Sequence, residues 1–186
     1  MKKSVKSVLF LAALVATLFL TLTACGGSGK MTYEKYVSAM ESSSVTAKQT
    51  KVETTMTDGA VVVWKRVTET TADETEVLVT VTESTLDSST MELKDDTTTA
   101  TAALSDRKAP LRLTAENVAS HELTETGFTC VVKKDAAAEA FDVSSLTVAE
   151  DVTVTVTFDG DKVTGISCEM KTAGNKTVAM TMTFTY

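Results

Sequence analysis

Val152-Thr153-Val154-Thr155-Val156-Thr157-Phe158 alternates apolar and polar residues without a break. An extended chain with that pattern has one oily face and one hydroxylated face. Two more runs follow it. Ile166, Cys168 and Met170 alternate with Ser167, Glu169 and Lys171, and Val178, Met180, Met182 and Phe184 alternate with Thr181, Thr183 and Thr185. Threonine suits the wet side of a strand, because its branched β-carbon favours extended backbone while its hydroxyl stays hydrated. Register follows from keeping the apolar sets together. Val156 must lie opposite Ile166, Val154 opposite Cys168 and Val152 opposite Met170, which predicts an odd loop centred on Asp161. A two-residue Gly160-Asp161 turn would set Val156 against Gly165 and split the apolar residues between faces. The next hairpin pairs Met170 with Val178 and Cys168 with Met180 around Gly174. Three antiparallel strands therefore close the chain.

Upstream the same alternation weakens. Val61 to Val67 follows the turn Asp58-Gly59, and Val45 to Thr57 before it is rich in Lys, Gln, Glu and Thr. So polar a strand is expected near an edge, where charge discourages further pairing. Glu76 to Glu83, Thr97 to Leu104, Ala119 to Glu125 and Phe128 to Lys134 read as further strands. Residues 86–96 and 105–117 have no clear pattern, and Pro110 breaks the second stretch. Two short helices are expected. Thr32 to Met40 has Thr32 as its cap and an apolar stripe of Tyr33, Tyr36, Val37 and Met40; Asp135 to Phe141 is capped by Asp135. The fold class is mainly β: a curved antiparallel sheet or half-barrel of about eight strands, with the N-terminal helix and the helical insertion packed on its concave face.

Length and composition fit one domain. The chain has 186 residues, 43% apolar and 23% charged, too apolar for a disordered chain. Its beginning reads as an address. Met1 to Lys6 is basic, Val8 to Ala24 is uncharged and largely apolar, and Leu22-Thr23-Ala24-Cys25 closes the run. Basic head and apolar stretch are the plan of a secretory signal peptide. The alternative is an uncleaved anchor, but Cys25 followed by Gly26-Gly27-Ser28-Gly29 has no reason to end one. Residues 1–24 are read as the signal peptide, 25–30 as a lipidated Cys and Gly/Ser tether, and 31–186 as a single β-rich domain.

Leu22-Thr23-Ala24-Cys25 resembles the lipobox of bacterial lipoproteins, in which the cysteine receives diacylglycerol and becomes the new N-terminus. The resemblance implies a lipid anchor on Cys25, with the domain held at the extracytoplasmic face of the cell membrane. A tether of five residues reaches at most ~18 Å. Loss of the leader removes three lysines, leaving 15 basic against 25 acidic residues, a net charge of −10. Such a surface repels phosphate backbones, which excludes nucleic acid as a partner. The order of elements together with the lipobox resembles the half-barrel lipoproteins, the LolA-type lipoprotein carriers and the LppX-type glycolipid-binding lipoproteins. Members of that group hold acyl chains between a curved sheet and the helices laid over it.

The physical argument for a groove is independent. Eight strands ~4.8 Å apart present a face nearly 35 Å wide, and two short helices, each covering ~10 Å, cannot dry all of it. The ligand-facing set would be Val154, Val156, Phe158, Ile166, Cys168 and Met170, then Val178, Met180, Met182 and Phe184 on the last strand, with Tyr36 and Met40 from the helix. Met170, Met180 and Met182 read first as plain core, with adaptable ligand lining as the alternative. Cys130 and Cys168 face inward and form either a disulfide or two buried thiols; an intervening strand would hold them ~9.6 Å apart, too far to bridge. His121, the one histidine, has no relay or ligand partners near it in sequence and reads as a solvated strand residue. Asp159-Gly160-Asp161 and Asp95-Asp96 lack the spaced oxygens of a calcium loop. No cofactor, metal or catalytic constellation is expected. The reading is a non-enzymatic envelope lipoprotein that binds a hydrophobic or amphiphilic ligand on the concave face. The alternative is a structural or protein-interaction module without a ligand cavity, meeting another envelope protein.

Overall fold

The computed structural model describes residues 31–186 apart from 142, 144 and 145. The stretch read as leader and lipobox, Cys25 included, lies outside the described residues. Helix α1 (Tyr33–Ser44) opens the fold and is followed by β1 (Gln49–Asp58), β2 (Val61–Ala72), β3 (Glu76–Asp87) and β4 (Glu92–Ala103). A 3-10 turn at Leu104–Asp106 leads into a crossing segment. Then come β5 (Val118–Thr124), β6 (Gly127–Val132), helix α2 (Lys134–Ala140), β7 (Val152–Asp159), β8 (Lys162–Lys171) and β9 (Thr177–Thr185). All nine strands form one unclosed antiparallel sheet in the order β4-β3-β2-β1-β9-β8-β7-β6-β5. The fold is mainly β and curved, with one strand more than the approximate eight.

Register in the closing strands is as the alternation requires. Val154 pairs with Cys168, Val156 with Ile166, Met170 with Val178 and Cys168 with Met180. The loop is not as expected. Asp159 pairs with Lys162 across a two-residue Gly160-Asp161 turn, and a bulge at Thr164 shifts the ladder between Thr157 and Phe158. One inserted residue on β8 does the work assigned to an odd loop, because a bulge moves register by one as surely as a longer turn does. The Thr157 and Thr164 hydroxyls meet there at 3.2 Å. Gly160 supplies φ +62 for the tight turn.

β1 is not near an edge. It lies between β2 and β9, with Thr50, Val52, Thr54 and Met56 opposite the inward residues Phe184, Met182, Met180 and Val178. Its charged residues sit on the opposite, convex face, where Lys51 lies 3.9 Å from Glu69 and Lys65 lies 2.9 Å from Glu53. Lysine and glutamate in this strand form a cross-strand ladder and do not guard a border. Residues 86–96 resolve into the end of β3, a turn and the start of β4. Leu86 pairs with Leu93, and Met91 takes the left-handed conformation at φ 59. Lys94, beside Asp87, and the Ser89 hydroxyl and N–H hold that carboxyl well below the usual carboxylate range.

Both helices differ from expectation at their ends. The Thr32 side chain caps α1 by accepting the Lys35 N–H, as predicted, but the helix continues to Ser44. Its serine tail is satisfied at short and long range: Ser42 Oγ donates back to the Ser38 carbonyl, and Ser43 Oγ accepts the Val163 N–H of β8 at 3.0 Å. α2 begins at Lys134 after Lys133, so Asp135 is inside the first turn and is not the cap. The first N–H is instead taken by Asp151 Oδ1 at 2.9 Å, a partner 17 residues away that local sequence cannot reveal. The crossing segment is also structured. Leu111 and Leu113 are buried in the core, and the Arg112 N–H donates to the Ala140 carbonyl.

Candidate functional site

The concave face has a closed half and an open half. α1 packs across β5, β6 and β8, and α2 packs on β6. Beneath them lies the core, in which Met40, Phe128, Val154, Val156, Ile166, Met170 and Val178 are almost wholly buried. Aromatic rings knit helix to sheet: Tyr36 meets Phe158 at 4.8 Å between centroids, and Tyr33 meets Phe128 edge-on at 5.1 Å. Phe158, Met180, Met182 and Phe184 are 2–8% exposed, and Tyr36 and Cys168 are half-buried. The residues expected to line a groove thus form the interior of the closed half. Phe184 also lines a cavity.

That cavity lies on the open half. Opposed residues share a face, so Val52, Thr68, Val81 and Thr98 form one row across β1 to β4, and Thr50, Thr70, Val79 and Ala100 form the next. Among the described residues neither helix packs extensively on β2, β3 or β4, and Val52, Val79 and Val81 stay half-exposed. Where the Leu104–Pro110 segment passes over these rows it leaves a cavity of about 220 Å³. Val52, Val77, Val79 and Phe184 give it an apolar floor. Ser44, Thr50, Thr70, Asp106, Arg107 and Lys108 supply its polar groups. The Thr50 hydroxyl is buried without a hydrogen-bond partner.

Arg107 fixes the lid. Its guanidinium donates to the Ala47 carbonyl at 2.8 Å and to the Ser44 carbonyl at 3.4 Å, tying the crossing segment to the C-terminal end of α1. Carbonyls at a helix C-terminus lack partners within the helix, and a cation there also complements the dipole. Burial lowers the Arg107 pKa from its ordinary value, and no carboxylate pairs with it among the described residues. Lys108 stands beside it. Sequence reading missed both, because 105–117 has no periodicity to place it over the sheet.

A second groove, about 440 Å³, runs between α1 and the Leu113–His121 stretch. Tyr33, Val37, Leu113 and Val118 give it apolar walls, with Glu34 and Glu41 at the helix side. His121 is exposed on the strand, as expected, and stacks flat on Tyr33 at 3.8 Å. The Tyr33 hydroxyl is buried beside the Cys130 thiol with no hydrogen bond of good geometry, and desolvation pushes its pKa up. Among the described residues no cluster of three or more His, Cys, Asp or Glu is placed to hold a metal ion. No described helix is long and apolar enough to cross a membrane.

Cys130 and Cys168 are free thiols that both lie opposite Val154, one on each neighbouring strand. Burial pushes the Cys130 pKa up to about 11 and the Cys168 pKa up to about 12. Since the thiolate is the nucleophile, both are expected to resist iodoacetamide at pH 8 in the folded chain and to react in urea, read as two added labels by mass spectrometry. The linkage has a definite sign. A folded pKa above the unfolded value means the folded state holds its proton longer, so stability is full below about pH 9 and falls as pH rises through 11–12. Urea midpoints that do not decline above pH 9 would contradict this. Compared with known proteins, the sequence matches no family model and no curated protein.

Proposed function

We propose that this chain is a non-enzymatic, membrane-anchored lipoprotein of the cell envelope that holds an amphiphile on the open half of its concave face. The anchor would be the diacylglycerol on Cys25 that Leu22-Thr23-Ala24-Cys25 implies. The observation that carries the binding role is the cavity under Leu104–Pro110, with an apolar floor and two cations, Arg107 and Lys108, on its rim. Apolar lining with a few convergent polar groups is the usual composition of a ligand site. Its 220 Å³ is smaller than most such sites, so it holds a segment of a chain, and the half-exposed row beyond it through Val81 extends the apolar track. An anionic head group fits the rim. Asp106 contributes one opposing charge, which leaves the two cations in excess.

Dodecanoate is the probe, titrated calorimetrically into the chain from Gly26 onward. Val79→Asp puts a carboxylate on the floor and is expected to weaken binding at least tenfold, about 1.4 kcal/mol. Lys108→Glu is expected to weaken it several-fold while leaving decanol binding unchanged. Absence of dodecanoate binding, or equal binding by Val79→Asp, would refute the proposal. A second reading, an interaction module without cargo, is favoured by the burial of Met40, Phe128, Val154, Val156, Ile166 and Met170 in the closed half; it predicts that neither probe binds.

A further inference from the structure

Among the described residues nine strands in an unclosed sheet leave two borders, β4 and β5, and they are protected unequally. A sheet border is a row of unpaired N–H and C=O groups, which proteins blunt with short strands, charges, Pro or bulges. β5 is seven residues long, carries His121 and Glu122, and has an irregular register with β6. β4 is twelve residues long and its pairing with β3 runs unbroken from Glu92 to Ala103. Every β4 residue is exposed except the half-buried Ala102. Its charges, Glu92, Lys94, Asp95 and Asp96, all lie in the first five residues. Thr97 to Ala103 has no charge, Pro, Gly or bulge.

We propose that β4 pairs antiparallel with β4 of a second copy of this chain, about a two-fold axis through Thr98. On a border strand alternate residues point their backbone groups outward, so opposed residues must have the same parity. The axis therefore passes through a residue and not between two. At Thr98 it sets Thr97 opposite Thr99 of the second copy, Ala100 opposite its Asp96 and Ala102 opposite its Lys94. The charged half of each strand lies along the uncharged half of the other, so no like charges meet although the chain carries −7. Moving the axis to Asp95 would put that carboxylate against its own copy. The threonines also match. Thr82 and Thr97 hydroxyls already meet at 3.1 Å across β3 and β4, and Thr99 of the second copy continues that ladder. The product is one continuous sheet of two curved halves.

Cysteine cross-linking of the full chain in intact cells tests the axis. Directly opposed residues have Cα atoms ~4.5–5.5 Å apart, within disulfide reach. Thr98→Cys therefore meets its own copy, whereas Thr101→Cys lies six residues, ~20 Å, from its counterpart. After oxidation with copper phenanthroline, a non-reducing gel is expected to show a reductant-sensitive dimer for Thr98→Cys, at least tenfold above Thr101→Cys and the parent. Both positions are exposed on β4, and unreactive Cys130 and Cys168 report that each variant is folded. No dimer from Thr98→Cys overturns the proposal. So does equal dimer from both positions, which would be random collision, and so does an adduct to a different protein alone.

Discussion

Phe128→Ala is expected to lower the free energy of unfolding by about 3–5 kcal/mol, the cost of removing a large ring from a packed interior. Phe128 is fully buried and is the largest such side chain in the core. Its ring touches Tyr33, Tyr36 and Phe158 at centroid distances of 5.1, 6.2 and 6.4 Å. These contacts join β6 to α1 and to β7, three elements remote in sequence. Collapse into the vacated space is restricted, because the neighbours on either side, Val156 on β7 and the helix above, are themselves fixed. For a domain stable by roughly 5–15 kcal/mol this is a large fraction of the total. Urea unfolding followed by Trp64 fluorescence measures it, and a loss under about 1.5 kcal/mol would mean that the aromatic cluster is not the centre of the fold.

Gly127→Ala should be comparably damaging for a different reason. A β-carbon there would lie 2.1 Å from the Val156 carbonyl oxygen and 3.0 Å from its carbon, backbone atoms that no rotamer change can move. β6 must separate from β7 where Gly127 pairs with Thr157, and the adjoining Phe158 N–H bond to the Thr126 carbonyl at 2.7 Å goes with it. Overpacking commonly costs about 1–3 kcal/mol and more when backbone must shift, so about 3 kcal/mol or above is expected. Gly160→Ala is the comparison. Nothing lies within 4 Å of its β-carbon, and only the left-handed φ of +62 is strained, for about 1–2 kcal/mol. Equal losses from the two substitutions in parallel urea titrations would refute the crowding argument.

Much of the sheet was legible because its signal is local. In β7, β8 and β9 period-two alternation names the buried face, and matching faces fixes which residues oppose one another. What escaped depends on atoms far away in sequence. The bulge at Thr164 is invisible because a turn plus a bulge and an odd loop give the same alternation. β1 looked like a border since Lys51 and Glu53 are charged, yet their partners Glu69 and Lys65 come from the next strand. The acceptor for the first N–H of α2 is Asp151, beyond the helix itself. The candidate site was half legible. Alternation located the concave face, but which half is covered depends on where α1 and the aperiodic 105–117 segment lie. Of the twelve residues chosen from β7, β8, β9 and α1, Phe184 reaches the open floor and the rest fell under that cover; the floor otherwise came from Val52, Val77 and Val79 on strands read less clearly.

β9 occupies the middle of the sheet, between β1 and β8. Until residues 177–185 insert, β1–β4 and β5–β8 have no strand in common and stand as two separate ribbons. Each can zip its own hairpins early, from neighbours close in sequence, but the joint between them must wait for the final nine-residue strand. The sheet thus keeps an unfinished seam until that strand arrives, and a single insertion turns two loose pieces into one body.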